Sequence, residues 1–402
     1  MTALALLAGA LLARPQLLVH TSAVDITPPE RLPLGGYTER LGKLMVPGGD
    51  PLYARTLLFE RGAAKVAVVS VETLTIPESL AREVRKRLPT GVQLFLHAVH
   101  THCAPDSQML NDRMRFAVPG IAQYNPLWLG WYASKITESI DLALASPGFP
   151  LGRLSLKVGH VGLNRPRRRG GDPDSASREL VGGGKLLFTE YAAHATIYGP
   201  DELHTRGDWP GAVAQATSAP VLVGAIGDVS PAVDGGTAPD RVRRFRDRLI
   251  DSFRGVRART VWKSRDRIGL VEENLPLDKP RPHPTFASTY KVPEALAKAL
   301  VLEFTPAEAT ITAFRLGSLA IIGIPGEPTG ALGNRIVDAG RDIGFDSVIV
   351  CSHVNGWIGY ILEPRDYDRG GYEATLSFNG RMQGERTVEA ASDALQKLWD
   401  QR

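Results

Sequence analysis

The run Leu94-Phe-Leu-His-Ala-Val-His-Thr-His-Cys-Ala-Pro105 limits the fold more than any other stretch. An apolar segment with strand character ends in His100 and His102, and on extended backbone a two-residue spacing points both imidazoles to the same side. Such a pair can hold a metal. Two histidines near the end of a buried strand also occur as hydrogen-bonded core residues, and a lone His-x-His does not separate the two.

The same pattern recurs along the chain. Leu186-Leu-Phe-Thr-Glu-Tyr-Ala-Ala-His194 ends in a histidine, Pro220-Val-Leu-Val-Gly-Ala-Ile226 runs into Gly227-Asp-Val-Ser-Pro231, and Ser318-Leu-Ala-Ile-Ile-Gly-Ile324 runs into Pro325-Gly-Glu-Pro-Thr329. A fifth run, Ser347-Val-Ile-Val-Cys351, leads toward Asn355-Gly-Trp-Ile-Gly-Tyr360. Apolar strands thus feed polar groups at their C-terminal ends, where open α/β sheets place ligands.

Between these runs, helical spacing covers Ile76 to Leu88, Trp128 to Ala145 and Asp240 to Phe253. Arg61-Gly62 between two alternating segments predicts an antiparallel strand pair. Arg167 to Gly184, rich in Arg, Gly, Asp and Ser, reads as a mobile loop beside the pocket. Asp278 to Pro284 holds too many prolines for regular structure. With no internal repeat and no linker, the expectation is an α/β fold: a single compact domain over residues 16–402, a mixed β-sheet core flanked by helices, and the site at strand C-terminal ends.

Composition narrows the function. The 47 basic and 43 acidic side chains leave a formal charge of +4, and the main basic run, Arg165 to Arg169, has no interleaved aromatics to stack bases, so nucleic acid is not an expected partner. Two cysteines, Cys103 and Cys351, cannot make a disulfide framework; one bridge and two free thiols both fit. The apolar start, Met1 to Ala13, has no Lys or Arg before it. Residues 1–15 read as a signal peptide or an N-terminal helix, with export slightly favoured over a cytoplasmic location. No other stretch is long and apolar enough to be transmembrane.

A hydrolytic zinc site needs about three N/O protein ligands and an open position for water. His100, His194 and Glu327 supply that set from three strand ends. Taken singly, His194 also fits a core histidine, Glu327 a carboxylate at a helix N-terminus, and Tyr360 a core aromatic.

Together the motifs resemble the neutral/alkaline (non-lysosomal) ceramidase family. The matching residues are Val24-Asp-Ile-Thr-Pro-Pro29, Leu34-Gly-Gly-Tyr37, Asp50-Pro-Leu-Tyr-Ala-Arg55, His100-Thr-His102 with Pro105, and Asn164-Arg165. The series continues in family order through the His194 strand, Asp208-Trp-Pro-Gly211, Gly227-Asp-Val-Ser-Pro231, Pro325-Gly-Glu327, and Asn355-Gly-Trp-Ile-Gly-Tyr360 with Tyr372-Glu373.

The resemblance implies one zinc ion per chain, bound by His100, His194, Glu327 and Tyr360. It implies His102 as general base or proton shuttle, Arg165 and Tyr372 on the carbonyl oxygen, and Ser230 as an active-site residue that hydrogen-bonds substrate. The implied reaction is cleavage of a C–N amide, in N-acyl sphingosine or a smaller small-molecule or lipid-like amide, by metal-activated water. A membrane surface is compatible with this reading and an integral membrane protein is not; no oligomeric state is implied. Two departures stand out. The ceramidases carry a longer catalytic domain and a C-terminal immunoglobulin-like domain, and Cys103-Ala104 replaces the family's Ser-Gly. An ester or lactone hydrolase on this scaffold, a serine hydrolase using Ser230, and a non-catalytic zinc-binding domain are the alternatives.

Overall fold

A computed structural model describes residues 15–263 and 266–401. The leader expected at residues 1–15 therefore falls, except for Pro15, outside the described residues.

The first strands, β1 (Leu17–Asp25), β2 (Tyr53–Arg61), β3 (Ala64–Val71), β4 (Val92–Ala98) and β5 (Phe149–Leu151), form one sheet in the order β4-β3-β2-β1-β5. Helices α1 (Glu78–Arg87) and α2 (Pro126–Ala145) lie on it. A second sheet, β10-β9-β8-β6-β12, uses β6 (Arg153–His160), β8 (Ala176–Gly182), β9 (Lys185–Tyr191), β10 (Val221–Val223) and β12 (Arg259–Lys263). It is covered by α3 (Asp208–Thr217) and α4 (Ala238–Asp251), and a short ribbon pairs β7 (Asn164–Pro166) with β11 (Val229–Pro231). The third sheet, β13-β14-β15-β17, is built from β13 (Ile268–Leu275), β14 (Ala309–Leu316), β15 (Leu319–Gly323) and β17 (Ser347–Cys351). Helices α7 (Gly330–Ile343) and α10 (Gln383–Asp400) pack on it, α5 (Phe286–Tyr290) and α6 (Glu294–Phe304) cluster with Met114 and Phe378, and the chain adds α8 (Pro364–Asp368), α9 (Tyr372–Thr375) and a two-residue pair, β16 (Glu327–Pro328) with β18 (Tyr360–Ile361).

One plan is used three times. In each sheet an antiparallel meander (β1-β2-β3, β6-β8-β9, β13-β14-β15) is followed by a helix (α1, α3, α7) and a parallel strand (β4, β10, β17). The sequence shows no repeat because only burial is repeated, not residue identity. Leu57, Phe59, Val68 and Phe95 of the first sheet meet Leu180, Phe188 and Leu222 of the second and Phe314, Ile321 and Ile349 of the third in one apolar core. The opposite faces are apolar too and pack on helices, as Leu94 and Leu96 do against α1 and α2 and Ile322 and Val350 against α7 and α10. Strands buried on both faces read as continuous apolar runs rather than alternating ones. This is the expected α/β architecture, with the core divided among three mixed sheets.

The stretch read as a mobile loop over Arg167 to Gly184 is corrected by the structure: Ala176–Gly182 is an interior strand of the second sheet. Its charges misled the reading. Arg178 is buried, and its guanidinium bonds Glu190 at 2.7 Å and Asp174 at 2.6 Å, so the polar groups lie inside the sheet already paired. Both cysteines are free and buried.

Candidate active site

Each sheet delivers one side chain to a common point. β4 ends at Ala98, and two residues later His100 adopts φ 62°, in the left-handed region. The two imidazoles therefore do not converge through an extended two-residue repeat, as the spacing suggests. A turn brings His102 Nε2 to 3.2 Å from His100 Nε2, with the rings almost perpendicular at 87°. His194 lies three residues past β9, and Glu327 follows β15 through Pro325-Gly326 just before Thr329 caps α7.

The tautomers are fixed by the backbone. His100 Nδ1 lies 2.8 Å from the Leu74 carbonyl and His194 Nδ1 2.9 Å from the Val229 carbonyl. Each Nδ1–H donates there, which leaves Nε2 with a free lone pair. Both lone pairs face Glu327 Oε2, at 3.7 Å from His100 and 3.3 Å from His194. Glu327 Oε1 accepts from the Trp357 indole at 3.0 Å, whereas Oε2 is buried without a hydrogen-bond partner. Tyr360, paired opposite Glu327 in the β16–β18 bridge, places its hydroxyl 3.4 Å from His194 Nε2.

A cation fits this arrangement. The ligand atoms of His100, His194 and Glu327 lie within 4.8 Å of one another, and all three residues are buried. Two imidazole lone pairs and an orphaned carboxylate oxygen around one point are uncompensated unless something positive sits among them. Burial pushes the His100 and His194 imidazoles below their usual range, so they are neutral, as metal ligation requires. Burial works to raise the Glu327 carboxyl, but the polar groups around it, the Trp357 indole N–H among them, hold it below its ordinary value. Burial drives the Tyr360 phenol well up, so to ligate as phenolate it would have to release its proton when the metal binds.

Around the cluster, His102 is pressed against Tyr37, ring centroids 4.7 Å apart, and its Nδ1 is buried without a partner. Gly36, at φ +85°, makes room for it: a Cβ there would stand 2.3 Å from His102 Nδ1. Ser230 and Tyr372 flank the site, Tyr372 half-exposed with its ring 5.8 Å from that of Tyr360.

The arginine assignment changes. Arg165 is exposed, although its backbone pairs with Ser230 across the β7–β11 ribbon. The guanidinium turned toward the cluster belongs to Arg167, whose Nε donates to Ser230 Oγ at 2.8 Å and which lies beside Tyr360 and Glu327. Pro166 ends the ribbon and the main chain turns there, Arg167 N–H donating to the Asp228 carbonyl, so the inward position falls two residues later.

Sequence reasoning also passed over His353, which stacks on His100 at 4.2 Å between centroids and 13° between planes. The signal was present: His353 stands two residues past β17, the same strand-end position as the other site residues. Trp357 belongs to the Asn355–Tyr360 motif, but its bond to Glu327 forms only across the fold, thirty residues away in the chain.

Fold and cluster together define a mixed α/β protein with a candidate mononuclear metal centre of two histidines and a carboxylate. No protein-family model matches the chain, and no characterised protein matches it by sequence. Among solved structures it is similar to neutral ceramidase from Pseudomonas aeruginosa, with a TM-score of 0.81 and 18% identity over 96% of this chain and 75% of that one. It is likewise similar to a ceramidase complexed with C2, at a TM-score of 0.81 and 16% identity, with coverage of 96% and 75%. The fold is thus that of neutral ceramidase over nearly the whole described chain.

Proposed function

We propose that the protein is a zinc-dependent amidohydrolase that cleaves a linear C–N amide in a ceramidase-like reaction. The observation that carries this reading is the partnerless Glu327 Oε2 facing the Nε2 atoms of His100 and His194, inside a ceramidase fold. His100, His194 and Glu327 would hold the metal, with Tyr360 as a fourth ligand, and a zinc there supplies Lewis-acid activation of water when bound.

The protein groups do the rest. His102, with Nε2 facing the cluster, takes the proton of the attacking water and returns it to the nitrogen of the leaving amine. Arg167 and Tyr372 hold the carbonyl oxygen as it gains charge; although the Tyr372 ring is half-exposed, desolvation of its hydroxyl and the nearby Glu327 keep the phenol protonated and able to donate. Ser230 orients Arg167. A purely metal-binding domain has no use for His102, Arg167 and Tyr372 at this point.

The test measures zinc content and hydrolysis of a short-chain fluorogenic N-acyl sphingosine on the same samples of wild type and His100→Ala/His194→Ala. About one zinc per wild-type chain, lost in the variant together with cleavage, is the expected result. Zinc without cleavage would redirect the search to smaller amides, esters and lactones, and a folded wild type without zinc would overturn the mechanism.

A further inference from the structure

The five residues Arg165 to Arg169 divide the work around the site. Arg167 faces the cluster. Arg168 is spent on structure: its Nη1 bonds Glu373 at 2.9 Å, and its Nη2 donates to the carbonyls of Asp366 and Gly370, each at 2.8 Å. Asp366 is also paired with Arg369 at 3.2 Å. Arg165 and Arg169 are exposed, and among the described residues neither has an ion pair or a side-chain hydrogen bond.

Arg165 is placed to matter. Residues paired across an antiparallel ribbon put their side chains on the same face, with Cβ atoms about 5 Å apart. Its partner is Ser230, the residue that accepts the bond from Arg167. The Cβ of Arg165 therefore starts on Ser230's face of the ribbon, and its exposed side chain carries an unpaired charge there, with Arg169 in the turn that follows. A neutral amide makes no use of it. An oxyanion does, because the guanidinium fork matches carboxylate and phosphate oxygens two at a time.

We propose that the site selects linear amides carrying an oxyanion, carboxylate or phosphate, a few bonds from the scissile carbonyl, with Arg165 the main determinant and Arg169 an auxiliary one. This rests on the amidohydrolase reading.

The experiment compares matched substrates on zinc-supplemented wild type, Arg165→Ala and Arg165→Ala/Arg169→Ala. N-hexanoylglycine is paired with N-hexanoylglycinamide, and N-hexanoyl-phosphoethanolamine with N-hexanoylethanolamine. The readout is the charged-to-neutral ratio of kcat/KM. In wild type the charged member is preferred in at least one pair, and the pair showing it tells carboxylate from phosphate. That ratio falls about tenfold in the variants and declines with added salt, as a solvent-exposed charge contact must. A wild-type ratio at or below unity, or one that Arg165→Ala leaves in place, overturns the assignment. Equal loss on both members in Arg165→Ala also overturns it and returns Arg165 to the carbonyl oxygen. A zinc-loaded wild type that cleaves the N-acyl sphingosine but none of the four, or cleaves them without charge preference, overturns the assignment alone, whereas one that cleaves neither overturns the amidohydrolase reading and the assignment with it.

Discussion

Arg167 donates from Nε to Ser230 Oγ at 2.8 Å, and that bond bears on which of the two does chemistry. A nucleophilic serine needs a base within hydrogen-bond reach to take its proton; Ser230 instead has a cation. Ser230→Ala is expected to keep kcat/KM within about tenfold of wild type, while Arg167→Ala loses on the order of 10²- to 10³-fold, the usual cost of an oxyanion donor. Steady-state kinetics on the two variants decide this, and a dead Ser230→Ala enzyme would revive the covalent mechanism.

Gly36 offers a way to disturb His102 without touching a metal ligand. A Cβ at this position runs into the imidazole, and φ +85° is itself unfavourable for alanine. Gly36→Ala should retain its zinc, by metal analysis, while kcat drops on the order of 10²-fold or more, the range expected when a general base is displaced. Loss of the metal in this variant would show that His102 helps to hold it.

Arg168 ties the Arg167 turn to the Gly370–Tyr372 turn, so one side chain sets the spacing between Arg167 and Tyr372. Arg168→Ala leaves Glu373 buried without its cation, a loss of roughly 3–5 kcal/mol. Both a lower Tm and a lower kcat at permissive temperature are expected. Arg168→Lys should recover stability more than rate, since an ammonium cannot reproduce the planar fork across three acceptors. Full recovery of rate by lysine would contradict the positioning role.

Acid stability should depend on His97. It is fully buried, its Nε2 accepts from the Val223 N–H at 3.0 Å, and burial pushes its pKa from 6.5 down to about 3. Between those values the unfolded chain binds a proton that the folded chain refuses. The contribution is therefore complete above pH 6.5 and is lost as pH falls toward 3, by up to roughly 5 kcal/mol. His97→Gln keeps an acceptor on a side chain that does not titrate, so its acid-unfolding midpoint, followed by circular dichroism, should lie at lower pH than that of wild type. An unchanged midpoint would assign acid sensitivity to other groups.

Much of the site was legible in the sequence because its residues follow apolar runs. His100, His194, Glu327 and Tyr360 each stand just past or at the start of a short strand, where periodicity stops and polar chemistry begins. What escaped was whatever depends on direction. Arg165 lies in the ribbon and Arg167 just past its end, and only the turn at Pro166 decides which of them faces the cluster. The charges of β8 hid a strand, because Arg178 finds Glu190 twelve positions later in the chain and no local pattern announces that partner. The threefold plan of the sheets was likewise invisible, since an apolar core constrains volume and polarity far more than residue identity.

The proposed metal centre draws one ligand from the end of each sheet, which would make it a test of completeness during synthesis. A chain emerging with only its first two sheets presents two imidazoles and no carboxylate, and cannot retain a metal that needs all three. Closing such distant segments is slow, because loop entropy is lost before the contacts that repay it form. Metal uptake would then mark the last act of folding, and a nascent or clipped protein would stay catalytically silent however well its finished sheets were packed.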